Sequence, residues 1–151
     1  MTKEELKIQI LTILPTVSFE ETGEWLQVLV AAEDWKLFAQ QLHASAELQF
    51  DYLFCLTCVD WKTHLTMVYH LTSTTYRHNI VIKIKLDSIN PFIETVSDIW
   101  RTAEFHEREV FEMFGVNFLH HPDLRKLILP DDWIGYPLRK NYEDPINMIK
   151  L

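Results

Sequence analysis

His106, Glu107 and Glu109 stand together in the sequence, with Arg108 between the two acids. Paired carboxylates are the usual equipment of general acid–base catalysis, and a neighbouring histidine could add a metal ligand. Acid–base work also needs a pocket, a nucleophile and room for a leaving group, and nothing in the stretch supplies them. A small metal-dependent hydrolase using His106, Glu107 and Glu109 is one reading; a metal at His106, His120 or His121 with Glu107 is its looser form. Against both, adjacent histidines seldom chelate one ion, and no H-x-E or H-E-x-x-H pattern occurs. Cys55 and Cys58 form a C-x-x-C, a spacing that serves zinc, iron–sulfur clusters and dithiol redox centres. The chain has no second pair of cysteines, and Tyr52 to Val59 reads as a buried strand, on which residues three apart face opposite ways. Core cysteines are the expectation.

The acids must be positioned by a helix that stops at Gly115, a residue suited to the left-handed conformation just past a helix end. Phe105, Val110, Phe111, Met113 and Phe114 occupy most of that helix's circumference, so Glu107 and Glu109 are flanked by groups that favour burial. Arg108 and Glu112, an i,i+4 pair, mark the one sector that reads as solvated. A buried carboxylate needs a cationic or hydrogen-bonding partner, and Arg125, Lys126, Arg139 and Lys140 lie downstream to supply one. Beyond the helix Pro122, Pro130 and Pro137 recur, which predicts an ordered, proline-rich extended arm. Either these charges pin the arm to the helix, or they form a docking surface completed by another protein.

The chain has 151 residues, 48% apolar and 13% aromatic, which fits one domain: an α+β core over 1–100, then the helix and docking arm over 101–145. Three scattered glycines leave no glycine-rich phosphate loop. A net charge of −8 makes nucleic acid and anionic lipid poor partners for the free surface. The longest apolar runs, Trp25 to Ala32 and Leu53 to Val59, are too short to span a bilayer, and the start carries Glu4 and Glu5 where a signal peptide would be basic. A cytosolic-side location is expected.

In chain order, Lys3 to Leu14 reads as a helix ended by Pro15. Val17 to Glu20 and Trp25 to Val30 read as a hairpin turning at Thr22-Gly23. Ala31 to Ala44 reverts to helical spacing, with Trp35, Phe38, Ala39 and Leu42 on one face. Leu53 to Asp60, Thr66 to Leu71 and Asn79 to Leu86 follow as strands, the last alternating so that one face is covered and one wet. Ile93 to Trp100 reads as a linker and short helix. The fold class is therefore α+β, a mixed or antiparallel sheet with helices packed on it.

The stretch Glu107-Arg108-Glu109-Val110-Phe111-Glu112-Met113-Phe114-Gly115, then His121-Pro122-Asp123-Leu124-Arg125, Leu129-Pro130-Asp131-Asp132-Trp133, Gly135 and Pro137-Leu138-Arg139-Lys140, resembles the signature of the 30 kDa subunit, or C subunit, of proton-pumping NADH:quinone oxidoreductase, respiratory complex I. There are departures: Glu112 where that family usually has aspartate, His120 for glycine, Lys126 for arginine, Tyr136 for histidine and Asn141 for aspartate. The resemblance implies a non-catalytic structural subunit of the quinone-reducing module in the peripheral arm, at the cytoplasmic face of the membrane, docked on the D subunit and near the B and I subunits. It implies no flavin, iron–sulfur cluster or quinone in this chain, those belonging to partner subunits. It further implies that Glu107, Arg108, Glu109, Arg125, Asp131, Asp132, Arg139 and Lys140 hold the arm and the subunit contact in register. Related membrane-bound hydrogenases and dehydrogenases fed by ferredoxin or a deazaflavin use an equivalent subunit.

Overall fold

The computed structural model describes residues 1–148. Helix α1 (Lys3–Ile13) opens on a reciprocal cap, the Glu5 N–H donating to Thr2 Oγ1 and the Thr2 N–H to Glu5 Oε2. Strands β1 (Ser18–Glu20) and β2 (Leu26–Leu29) form the expected hairpin, and α2 (Ala32–Ala44) follows. Three nine-residue strands come next, β3 (Tyr52–Asp60), β4 (His64–Thr72) and β5 (Asn79–Asp87). The sheet order is β1-β2-β5-β4-β3; β2 runs parallel to β5 and every other pair is antiparallel, so the sheet is mixed.

One face of this sheet carries the core. On β4 and β5 the alternate residues Leu65, Met67, Tyr69, Leu71, Ile80, Ile82 and Ile84 are fully buried, while Lys83 and Lys85 point the other way. Trp35, Phe38 and Leu42 of α2 are buried against them, Trp35 lying 4.5 Å from the Tyr69 ring and 6.3 Å from Trp100. Both cysteines are free on β3; Cys55 is half-buried, and Cys58 sits in the core, where burial pushes its thiol up to about 12. Helix α3 (Ala103–Phe114) packs chiefly on β3 and ends at Gly115 with φ +77°, as its sequence predicts.

Residues 93–100 depart from the expected helix. Phe92–Glu94 is a strand, β6, paired in parallel with β7 (Asn117–Leu119), and a turn occupies 97–99. Ile93, Val96 and Trp100 do have helical spacing, but competing hydrogen bonds decide the outcome. The Val96 N–H donates to Glu107, and the Ser97 N–H to Thr95 Oγ1, so neither is left for a helix ladder. After β7 the chain runs from His120 through turns and bends, without helix or strand among the described residues. Among the described residues no helix is long and apolar enough to cross a membrane.

Candidate docking surface

Helix α3 sends its three consecutive charged side chains in three directions. Glu107 points inward and is fully buried. Its Oε1 accepts the Val96 N–H at 2.9 Å, and its Oε2 accepts the Thr95 hydroxyl, which is itself 2.8 Å from Ser97 Oγ. No lysine or arginine among the described residues forms an ion pair with it. His121 Nε2 lies 3.7 Å away, but it is closer to the Glu104 carbonyl, at 3.0 Å, while Nδ1 accepts the Asp123 N–H. Burial raises the Glu107 carboxyl to about 7, against the opposing pull of the Thr95 and Val96 hydrogen bonds.

Arg108 is also buried, against the expectation of a solvated sector. Its Nε donates to the Arg125 carbonyl at 3.0 Å and its Nη2 to the Lys126 carbonyl at 2.9 Å, and its guanidinium lies 5.6 Å from the Phe105 ring centre. One turn on, Glu112 is buried too and accepts three successive backbone N–H groups, those of Leu127, Ile128 and Leu129, at 2.9 to 3.1 Å. The cation thus takes the carbonyls of one short segment and the anion takes the amides that follow. Together they clamp residues 125–129 across the helix. The sector of α3 that looks solvated on an isolated helix is covered by the returning chain.

Glu109 is exposed, and it makes no hydrogen bond or ion pair with described residues. The four downstream cations expected to partner Glu107 and Glu109 go elsewhere. Arg125 pairs on the surface with Asp123 at 2.9 Å. Lys126 Nζ donates to the carbonyls of Asp131 and Trp133, closing a loop. Arg139 donates from Nε to the Phe114 carbonyl and from Nη1 to the Ser88 carbonyl. A cation at the last turn of α3 satisfies an orphan carbonyl and complements the negative end of the helix. The Lys140 backbone N–H donates to Asp60 Oδ2 at 2.8 Å, and the Lys62 N–H to Asp60 Oδ1, which together hold Asp60 below the usual carboxylate range.

Asp60, Thr95 and Glu112 are therefore anchors that residue type and spacing do not reveal. Asp60 and Glu112 bond to backbone N–H groups, and Thr95 is an uncharged hydroxyl on the Glu107 carboxylate, so none of these pairings leaves a trace in the charge pattern. Asp131 and Asp132 are exposed, with no side-chain partner among the described residues. Around them Leu127, Ile128, Ile134 and Leu138 also face solvent, with Ile134 90% exposed. The returning chain is thus held by its backbone and by Lys126 and Arg139, while several apolar side chains and two carboxylates stay outward. Among the described residues, no group of three histidine, cysteine or carboxylate side chains could hold a metal ion.

The family described as respiratory-chain NADH dehydrogenase, 30 Kd subunit, matches residues 28–145. A NADH-quinone oxidoreductase C subunit of Roseiflexus sp. is 40% identical over 119 residues, 77% of this chain and 68% of that protein. A fused C/D subunit of NADH-quinone oxidoreductase from Phocaeicola vulgatus is 43% identical over 118 residues, 77% of this chain but 23% of that protein. The chain spans less than half the length of several such relatives, 46% in the case of the C subunit from Chloroherpeton thalassium. Among solved structures, a chain of the membrane-bound sulfane sulfur reductase, an archaeal respiratory membrane complex, superposes with a TM-score of 0.80 at 29% identity, covering 93% of this chain and 85% of that one.

Proposed function

Since the chain belongs to the 30 kDa subunit family of respiratory-chain NADH dehydrogenase, we propose that it acts as a structural, non-catalytic subunit of the quinone-reducing module in the peripheral arm of a proton-translocating NADH:quinone oxidoreductase. In this reading the holoenzyme passes electrons from NADH to a quinone, and the chain keeps the receiving module in register. The observation that carries it is the clamp. Helix α3 spends its buried charges on its own returning backbone and so presents a preformed surface bearing Ile128, Ile134, Leu138, Asp131 and Asp132. A surface ordered in advance binds without an ordering cost at the moment of contact.

The D subunit is the first proposed neighbour. The relatives in which C and D are fused support this, because fusion keeps two partners at high effective concentration. The B and I subunits are proposed as further neighbours, and contact with the membrane at its cytoplasmic face as indirect, through the complex. The chain is proposed to hold no flavin, cluster or quinone of its own; the two cysteines, one buried in the core and one half-buried, do not supply a ligand set. A second reading keeps the scaffold and changes the machine to a related membrane-bound reductase or hydrogenase, and the superposition on the sulfane sulfur reductase chain favours it.

Affinity purification of the tagged chain from its native membranes, followed by mass spectrometry, tests both. Recovery with NADH-binding and quinone-site subunits, the D subunit among them, is expected. A nickel–iron large subunit in place of the NADH-binding subunits would select the second reading. Recovery of the chain alone, under conditions that keep membrane complexes intact, would end the scaffold reading.

A further inference from the structure

A groove of about 570 Å³ lies where three connections meet: the β3–β4 turn, the β5–β6 connection and the returning chain at 136–141. Lys62, Arg139 and Lys140 are among its lining residues, together with Ile89 and Tyr136. Asp60 is the one carboxylate in the lining, and both its oxygens are taken by backbone N–H groups. Neither lysine ammonium makes an ion pair or hydrogen bond with the described residues, and the Arg139 Nη2 is unused among them. Three cations against one carboxylate leave the groove with a net charge of +2, in a chain whose total is −8.

From this we infer that the groove is a docking site for an acidic segment of a neighbouring protein, one that places carboxylates on Lys62, Lys140 and Arg139 and an apolar side chain between Ile89 and Tyr136. Charge complementarity argues for an anionic occupant. The walls argue for a peptide. Ile89 is 90% exposed and Tyr136 45%, and a free inorganic anion would cover neither, whereas an acidic segment with an interleaved apolar residue covers both and satisfies the cations. A polyanion such as nucleic acid would meet the strongly acidic remainder of the surface. The inference rests on the scaffold reading for the source of the segment, another component of the same assembly.

The test is a photo-crosslinker, Ile89→p-benzoylphenylalanine, in the tagged full-length chain within the purified native complex, with the attached peptide identified by mass spectrometry. The expected product is a partner segment carrying at least a pair of carboxylates beside an apolar residue. Its yield should fall by about tenfold when Lys62→Glu and Lys140→Glu are added, because like charges then face each other. A crosslink to a neutral or basic segment, to lipid, or to nothing in a complex that contains its usual subunits would overturn the inference and leave the scaffold reading standing. If no complex is recovered, the scaffold reading fails and the groove is judged alone, by titrating the isolated chain with a short peptide of alternating aspartate and leucine. Shifts at the Ile89 and Lys140 amides, absent with a lysine–leucine peptide and with inorganic phosphate, would uphold it; shifts equal for all three, or none by about 1 mM, would overturn it.

Discussion

At the scale of single residues, Glu107 decides the most. Its flanking apolar residues announce burial, and it is buried, but the partner is not the cation that the local charge pattern suggests. Hydrogen bonds from Thr95 and Val96 hold the carboxylate, while burial dominates and lifts its carboxyl from an ordinary 4.5 to about 7. The titratable group nearest it is His121, 3.7 Å away, with Lys36, Asp98 and Tyr69 on β4 acting at a distance. Between these two values Glu107 holds its proton more in the folded chain than in the unfolded one, so its contribution to stability is full below about pH 4.5 and is lost as pH rises through about 7, levelling off above. The shift corresponds to roughly 3 kcal/mol. Glu107→Gln removes this titration and keeps an acceptor for Val96, so it should take the falling component out of the profile and leave the chain at least as stable as wild type near pH 8. A cation partner would have required the opposite, a loss of roughly 1–3 kcal/mol on neutralising the carboxylate. Urea unfolding of both forms across the window checks this by the difference between their profiles, because His70 and His78, whose rings burial pushes down, add the opposite slope to wild type and variant alike; identical slopes would refute the assignment.

The elements were legible in proportion to the length of their pattern. α2, β3, β4 and β5 carry nine or more residues each, and their burial follows the alternation or helical stripe written in the sequence. β6 and β7 are three residues each and pair in parallel across the whole of α3, so no local signal could reveal them. The end of α3 was legible for a different reason, since Gly115 adopts φ +77° where a side chain is strained. Its other constraint was hidden. A Cβ at position 115 would lie 2.6 Å from Tyr136 Cε2, because the returning chain lays that ring on the glycine. Gly115→Ala should therefore cost about 1–2 kcal/mol for the left-handed backbone and a further amount for displacing the ring. In a Tyr136→Ala background only the backbone share should remain, giving a coupling of about 0.5–3 kcal/mol in a double-mutant cycle read by chemical denaturation. Strict additivity would mean that the ring moves aside freely and that the contact contributes nothing.

For the whole molecule, the question is how a returning stretch without helix or strand holds a fixed place. It is tied at four points: to the first turn of α3 by His121 on the Glu104 carbonyl, to the face of α3 by Arg108 and Glu112, to the end of α3 by Arg139, and to the sheet by Asp60. The charged residues were visible in the sequence, but their partners are peptide groups, identical at every position, so which charge meets which segment could not be read. The same fact makes a prediction about cooperativity. Arg108→Ala removes two charge-assisted bonds to residues 125–126, and Glu112→Gln leaves three amides sharing one carbonyl oxygen, each change costing roughly 1.5–3 kcal/mol locally. Neither side chain belongs to the apolar core between α2 and β4–β5, so the sheet should not feel the loss. Hydrogen exchange should then quicken by about 10- to 100-fold at the amides of Leu127, Ile128 and Leu129, with those of β4 and β5 unchanged. Partner capture from native membranes should weaken in step, because the outward side chains are positioned only as well as the backbone behind them. Equal loss of protection in β4 and β5 would mean instead that the returning segment and the sheet unfold as one unit, and that the clamp stabilises the fold as a whole rather than shaping a surface upon it.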